Sequence, residues 1–215
     1  MLKNACAFSF RGEELLLLAE KGIWFPAYQT LLVSDTHLAK GAHFRKSGIA
    51  IPKALAQQEL SLLSDMIDQI NPKRLIFLGD LFHSDINNDF SWFSLWREMH
   101  QQIEMVLIKG NHDFLPIHFY QTLKMEVVDT MILGPFKLMH EPQKEDTEKY
   151  LLTGHIHPGI RINGKARQGI TLPCFYFGDT FGILPAFGKF TGKALLKPKS
   201  TDKIFVIAGD KVMLI

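Results

Sequence analysis

Cysteine is scarce in this sequence: Cys6 and Cys174 are the only two among 215 residues. They stand far apart, outside any Cys-x-x-Cys or finger-type spacing, which argues against a disulfide-stapled scaffold and against a structural zinc site. Both read as small buried apolar side chains. Long apolar runs are missing too. No stretch reaches the roughly 20 residues a membrane span requires, and residues 1–10 have neither the basic start nor the apolar centre of a secretory leader. The expectation is a soluble, cytoplasmic protein. An excess of one charge is also absent, since Lys plus Arg number 24 and Asp plus Glu 22, for a formal net charge of +2. No global positive field therefore marks a nucleic-acid binder, and any site for a polyanion has to be local. Repeats of solenoid period and low-complexity tracts are lacking as well.

What is present is the balance of an ordinary globular protein, 47% hydrophobic and 21% charged. A chain of 215 residues stays below the roughly 250 at which cores divide, so residues 1–215 are expected to form a single domain. Residues 5–24 read as two or three short strands broken at Arg11-Gly12-Glu13 and Glu20-Lys21-Gly22. Residues 31–33 form an apolar run that stops at Ser34-Asp35. In residues 54–70, Leu63, Met66, Ile67 and Ile70 repeat at helical spacing, with Pro52 suited to the first turn and Asn71-Pro72 closing the segment. A second apolar run, 75–78, ends at Gly79-Asp80, so strand, helix and strand predict a parallel, right-handed βαβ unit. The pattern recurs with a helix over 90–102, bearing Phe93, Trp96 and Met99 on one face, and a strand over 105–108 that runs into Gly110-Asn111-His112-Asp113. Residues 126–139 read as antiparallel strand segments ending at His140, and 150–152 deliver Gly154-His155-Ile156-His157. The remainder reads as all-β, with strands over 174–177, 204–207 and 212–215, the last two joined at Gly209-Asp210.

Five apolar runs thus finish in carboxylate, imidazole or amide side chains: Asp35/His37, Asp80, Asn111/His112, His140 and His155/His157. Ligand sites in layered α/β folds collect where strands end and loops begin, so groups remote in sequence can meet there. An Asp-x-His or His-x-His pair on extended backbone would put both side chains on one face. The mixture of imidazole, carboxylate and amide oxygen, without thiolate, suits manganese, iron or zinc. Two ions about 3.5 to 4 Å apart can share one carboxylate. Taken singly, each fragment is also what a strand-end turn or helix cap looks like; it is their order and common placement that point to metal.

This order, Asp-x-His, Gly-Asp, Gly-Asn-His-Asp, a lone His and Gly-His-x-His, resembles the calcineurin-like metallophosphoesterase superfamily from Asp35 to His157. The resemblance implies an α/β sandwich of two mixed β-sheets flanked by helices, with a dinuclear site along one edge. Carried over position by position, it implies Asp35, His37 and His157 on a first metal and Asn111, His140 and His155 on a second, with Asp80 bridging. His112 corresponds to the motif histidine that is not a ligand but protonates the leaving oxygen or stabilises the charged transition state. A narrower likeness lies in Lys40-Gly41-Ala42-His43-Phe44-Arg45, in Leu78-Gly79-Asp80-Leu81-Phe82-His83-Ser84, in Leu172-Pro173-Cys174-Phe175 and in Leu184-Pro185-Ala186-Phe187-Gly188-Lys189-Phe190-Thr191-Gly192. These segments are similar to the bacterial ligase-associated DNA damage response endonuclease family. That likeness implies a manganese-dependent phosphodiesterase acting on DNA, with DNA ligase and helicase as candidate repair partners.

Lys40, His43, Arg45 and His83 follow ligand-bearing strand ends and are candidates for positioning phosphate. Arg161, Lys165, Arg167, Lys189, Lys193, Lys197, Lys199 and Lys203 are candidates for a basic track, though a solvated surface explains them equally well. Protein phosphatases of the superfamily carry an arginine shortly after Gly-Asp and a Gly-Asn-His-Glu, whereas this chain has Leu81-Phe82-His83-Ser84 and Asp113. Two other readings stay open here: a phosphodiesterase or phosphatase acting on small nucleotides, and a non-catalytic scaffold of the same fold, against which the full ligand set argues.

Overall fold

The computed structural model describes residues 5–38, 55–82, 88–143, 148–164, 168–189 and 191–215. The first sheet has seven strands in sequential order: β1 (Ala5–Phe10), β2 (Glu13–Leu18), β3 (Ile23–Phe25), β4 (Thr30–Val33), β5 (Arg74–Leu78), β6 (Glu104–Ile108) and β7 (Met125–Val128). β1 to β4 form an antiparallel meander, of which the polar glycine turns predict the β1–β3 part. β4 to β7 are parallel, because the connections between them carry helices: α1 (Leu55–Ile70), α2 (Asn88–Met99) and α3 (Ile117–Thr122).

The parallel strands are apolar without interruption because both of their faces are covered. Leu31, Val33, Leu75, Phe77, Met105 and Leu107 point to one side, where they pack with Leu63, Met66 and Ile67 of α1 and with Phe93 and Trp96 of α2. The intervening Leu32, Ile76, Leu78, Val106 and Ile108 point to the other side and pack against Leu138, Leu152, Phe175 and Phe205 of a second sheet. Met99 departs from the expected apolar face of α2: it is 74% exposed, because the helix ends there and the chain turns away.

The second sheet is mixed, with β8 (Met131–Leu133), β9 (Phe136–Leu138), β10 (Tyr150–Thr153), β11 (Pro158–Asn163), β12 (Gly169–Phe177), β13 (Phe181–Ile183), β14 (Ala194–Leu195), β15 (Lys203–Ala208) and β16 (Lys211–Leu214). Its β9–β10 and β10–β13 pairs are parallel, whereas β8–β9, β11–β12 and β15–β16 are antiparallel. The expected antiparallel pairing throughout 126–139 holds only for β8 with β9. β7 joins the first sheet parallel to β6, since α3 intervenes and returns the chain in the same direction. β11, β13 and β14 are not visible as apolar runs, being short or largely exposed. Two mixed sheets with helices on the first thus make up the expected α/β sandwich.

Candidate metal centre

Strands β4, β5, β6, β9 and β10 deliver Asp35, Asp80, Asn111, His140 and His155 within a few residues of their carboxyl ends, on one edge of the two-sheet stack. The backbone there is not extended. Asp35 (φ 52°), His37 (φ 45°), Asp80 (φ 52°), His155 (φ 65°) and His157 (φ 54°) all lie in the left-handed region. Neither pair therefore shares a face by strand alternation, contrary to the sequence expectation; each turns back at every ligand residue. Such backbone costs of order 1 kcal/mol or more per residue and persists only where neighbours over-determine it. Here they do. The Asp35, His37 and Leu38 amides donate to the carbonyls of Gly79, Asp80 and Leu81 at 3.2, 2.9 and 2.8 Å. The His155 amide donates to the Asp35 carboxylate at 3.0 Å, and that of His112 to Asp80 Oδ1 at 2.9 Å.

Glycine precedes two of these turns, and at both the reason is close approach. A β-carbon on Gly79 (φ 78°) would occupy the place of the His140 ring, and one on Gly154 would meet Ser34 Oγ and the Asp35 carboxylate. The loops interlock so tightly that ligand side chains fill the space a side chain would need.

The side chains fall into two groups. Asp35, His37 and His157 bring one donor atom each to within 4.8 Å of one another, and so do Asp80, His140 and His155. Within the first, His157 Nε2 is 3.2 Å from Asp35 Oδ1 and 3.4 Å from His37 Nε2. Within the second, His140 Nε2 is 3.4 Å from Asp80 Oδ1. Asn111 Oδ1 stands beside this group, 3.2 Å from His140 Nε2 and 2.9 Å from His155 Nδ1. Asp80 faces both ways: Oδ1 points at His140, while Oδ2 lies 3.7 Å from His37 Nε2. The His112 ring lies outside both groups, its centroid 5.8 Å from that of His37.

Asp35 and Asp80 are 0% and 2% exposed, and such carboxylates need compensating positive charge. Among the described residues the groups facing them are imidazoles. Burial pulls the His140 pKa down, but the hydrogen bond it donates to Asp80 and the charges of Asp35 and Asp80 outweigh it and push it up to about 9. Burial likewise pulls Asp80 up, yet His140, the His112 amide and His37 hold it down to about 2. A proton on His140 thus supplies the cationic charge that the donor set demands. That demand, met by nitrogen and oxygen donors without thiolate, fits divalent cations.

Two supporting residues were missed in the sequence. Asp113, 1% exposed, accepts the amides of Asp80 at 2.8 Å, Gly110 at 2.9 Å and Leu81 at 3.0 Å, tying two ligand loops together. Burial and the Asp80 charge push it up to about 6 against the pull of those amides. Its signal was the last position of Gly-Asn-His-Asp, used only to separate relatives. Ser34 donates to Asp35 Oδ2 at 2.6 Å, and nothing in the sequence marked it. Residues 184–188 run alongside the first ligand loop, with the amides of Phe187 and Gly188 donating to Ser34 and Asp35 carbonyls at 2.8 and 3.1 Å. Lys40, His43, Arg45 and His83, with Lys165 and Arg167 of the basic track, lie outside the described residues. Arg161, Lys197, Lys199 and Lys203 are exposed on the second sheet and its loops.

Comparison with known proteins identifies the family. The family model for calcineurin-like phosphoesterases matches residues 28–142. Curated proteins give no match. Among solved structures, the Pseudomonas putida nuclease MPE is 32% identical, with 99% of this chain and 100% of that one covered and a TM-score of 0.84. YfcE, a phosphoesterase from E. coli, is 14% identical over 84% of this chain and 88% of its own, with a TM-score of 0.41. With the family model spanning more than half of the sequence and a full-length likeness above 30% identity, this chain belongs to the calcineurin-like phosphoesterase family.

Proposed function

We propose that this chain is a two-metal phosphodiesterase that cleaves DNA, with residues 1–215 forming one metallophosphoesterase domain. The observation that carries the reading is the Asp80 carboxylate, with one oxygen directed at each of two ligand groups. Asp35, His37 and His157 would hold one ion and Asn111, His140 and His155 the other, with Asp80 within reach of both. Manganese suits this donor set, with iron or zinc as alternatives. When bound, the cation pair neutralises phosphoryl oxygens and makes water a competent nucleophile near neutral pH.

The chain's own residues do the rest. His140 Nδ1 faces the Leu78 carbonyl oxygen at 2.9 Å, which fixes Nε2 toward the site. The interlocked loops keep the donors in place before substrate arrives, so little reorganisation is needed at the moment of reaction. His112, anchored through its amide to Asp80 but with its ring outside both groups, delivers a proton to the departing oxygen. The likeness to a nuclease over the full length of both chains supports a nucleic-acid substrate. The narrower resemblance adds a place in DNA repair, in the cytoplasm, beside DNA ligase and helicase.

The test is turnover with added manganese on plasmid DNA, on bis(4-nitrophenyl) phosphate and on phosphomonoesters. Plasmid nicking should fall by at least about a thousandfold in Asp80→Ala. In His112→Ala it should fall by about 100- to 10,000-fold with metal content retained. Turnover of the chromogenic diester without nicking would redirect the reading to small phosphodiesters, and unchanged nicking in Asp80→Ala would end it.

A further inference from the structure

Next to the first ligand group lies a shallow pocket whose wall includes His157, Pro158, Pro173, Lys21, Lys189 and Lys193. The three lysines come from remote parts of the chain and are brought there by contacts made in the fold. Lys21, in the β2–β3 turn, donates from Nζ to the Phe187 carbonyl at 3.3 Å. Lys189 follows the segment that lies along the Asp35 loop, and its amide donates to Glu59 Oε1 at 2.9 Å. Lys193 immediately precedes Ala194, whose amide donates to the His157 carbonyl at 3.0 Å. Three lysines that line one concavity repel one another, and surface lysines ordinarily spread apart to avoid this. Among the described residues Glu59 acts on Lys21 against Lys193 and Lys189 of like sign, and Lys189 Nζ donates to Gln58 Oε1 at 3.3 Å. The excess positive charge sits in a concavity that opens beside a metal ligand, where an anion belongs.

The size narrows what can enter. A volume of about 30 Å³ holds a couple of oxygen-sized atoms. Phosphate oxygens fit both the size and the charge.

We propose that Lys21, Lys189 and Lys193 form a second phosphate subsite, which holds a phosphate adjoining the scissile one while the latter lies over the Asp35–Asp80 cluster. The proposal rests on the phosphodiesterase reading and adds a specificity determinant to it. The second phosphate is either an internal one of a polynucleotide or a terminal one of a short nucleotide. Contacts of this kind act on ground state and transition state alike, so their loss raises KM more than it lowers kcat.

The test compares wild type with Lys21→Met, Lys193→Met and the double variant in the full-length, manganese-loaded protein. Substrates are a DNA dodecamer, a dinucleoside monophosphate with and without a terminal phosphate, and bis(4-nitrophenyl) phosphate. In the double variant, kcat/KM on the dodecamer should fall at least about tenfold more than on the chromogenic diester, mainly through KM. A matching extra loss on the terminally phosphorylated dinucleotide assigns the pocket to terminal phosphates as well; loss on the dodecamer alone assigns it to internal ones. Equal losses on DNA and the chromogenic diester would overturn the proposal, as would no loss on either. Binding of the dodecamer in EDTA, read by fluorescence anisotropy, is independent of catalysis. The slope of log affinity against log salt should become shallower by about 0.7 per phosphate contact removed. An unchanged slope, or no salt-dependent binding by wild type, also counts against the subsite. A wild type that turns over no ester sinks the phosphodiesterase reading, and the binding arm still decides the pocket.

Discussion

His140 concentrates the electrostatics of the site in a single side chain. It is 3% exposed, faces the Leu78 carbonyl through Nδ1, and directs Nε2 at Asp80. In the metal-free protein its pKa rises from 6.5 to about 9. A histidine whose folded-state pKa is raised contributes stability that is complete below pH 6.5 and is lost as pH climbs through about 9. Asp80, held down to about 2, stays ionised across this window and adds no slope. A metal ion must displace the His140 proton, so metal affinity should increase between pH 6.5 and 9, by up to about tenfold per unit. Calorimetric titration with manganese at several pH values, in buffers of different ionisation enthalpy, measures both the affinity and the proton released. An affinity flat over this range would show that His140 carries no proton in the metal-free state.

At the scale of elements, the helices matter through the way they return the chain to the sheet. Arg97, 5% exposed near the end of α2, donates to the carbonyls of Leu123 at 2.9 Å, His100 at 2.7 Å and Ile103 at 3.2 Å. It thereby joins the α2–β6 turn to the α3–β7 turn, and the position of β6 sets that of Asn111 and His112. Arg97→Leu would leave these carbonyls buried without their donor, at a cost of about 2 to 4 kcal/mol. Urea denaturation with unchanged m-value and a lowered midpoint would register this; a change within about 0.5 kcal/mol would show that solvent replaces the guanidinium. The β-elements show where sequence reading stops. The parallel strands were legible because burial on both faces leaves nothing polar in 31–33, 75–78 and 105–108. β7 was assigned the wrong partner because pairing depends on the direction from which the chain returns, and α3, only six residues long, gave no clear period. β11 and β14 escaped because exposed strands carry no apolar signature.

Across the whole molecule, strands of both sheets have to pair before either candidate ligand group exists, so metal binding and folding are coupled. No preformed site is available to the unfolded chain, and bound metal shifts the equilibrium toward the folded state. At free metal a hundredfold above Kd, each ion adds about 2.7 kcal/mol. For a protein of this size, removing both ions with EDTA should lower Tm by on the order of 10 to 20 °C. Scanning calorimetry of manganese-loaded and chelated protein checks this, and Asp80→Ala should show little further effect of EDTA. Equal Tm values with and without chelator would mean that the two groups do not bind ions under those conditions.

By itself, the sequence determined which side chains end the strands and in what order. Apolar runs mark buried strands, and a polar residue directly after such a run has to emerge at the sheet's edge. The tertiary structure alone decided how those ends meet. The left-handed turns at Asp35, His37, Asp80, His155 and His157 arise because neighbouring loops hydrogen-bond and interlock around them, which no local propensity encodes. The support from Asp113 and Ser34 has the same origin, as does the meeting of Lys21 with Lys189 and Lys193, separated by well over a hundred residues in the chain and joined only through contacts made in the folded state.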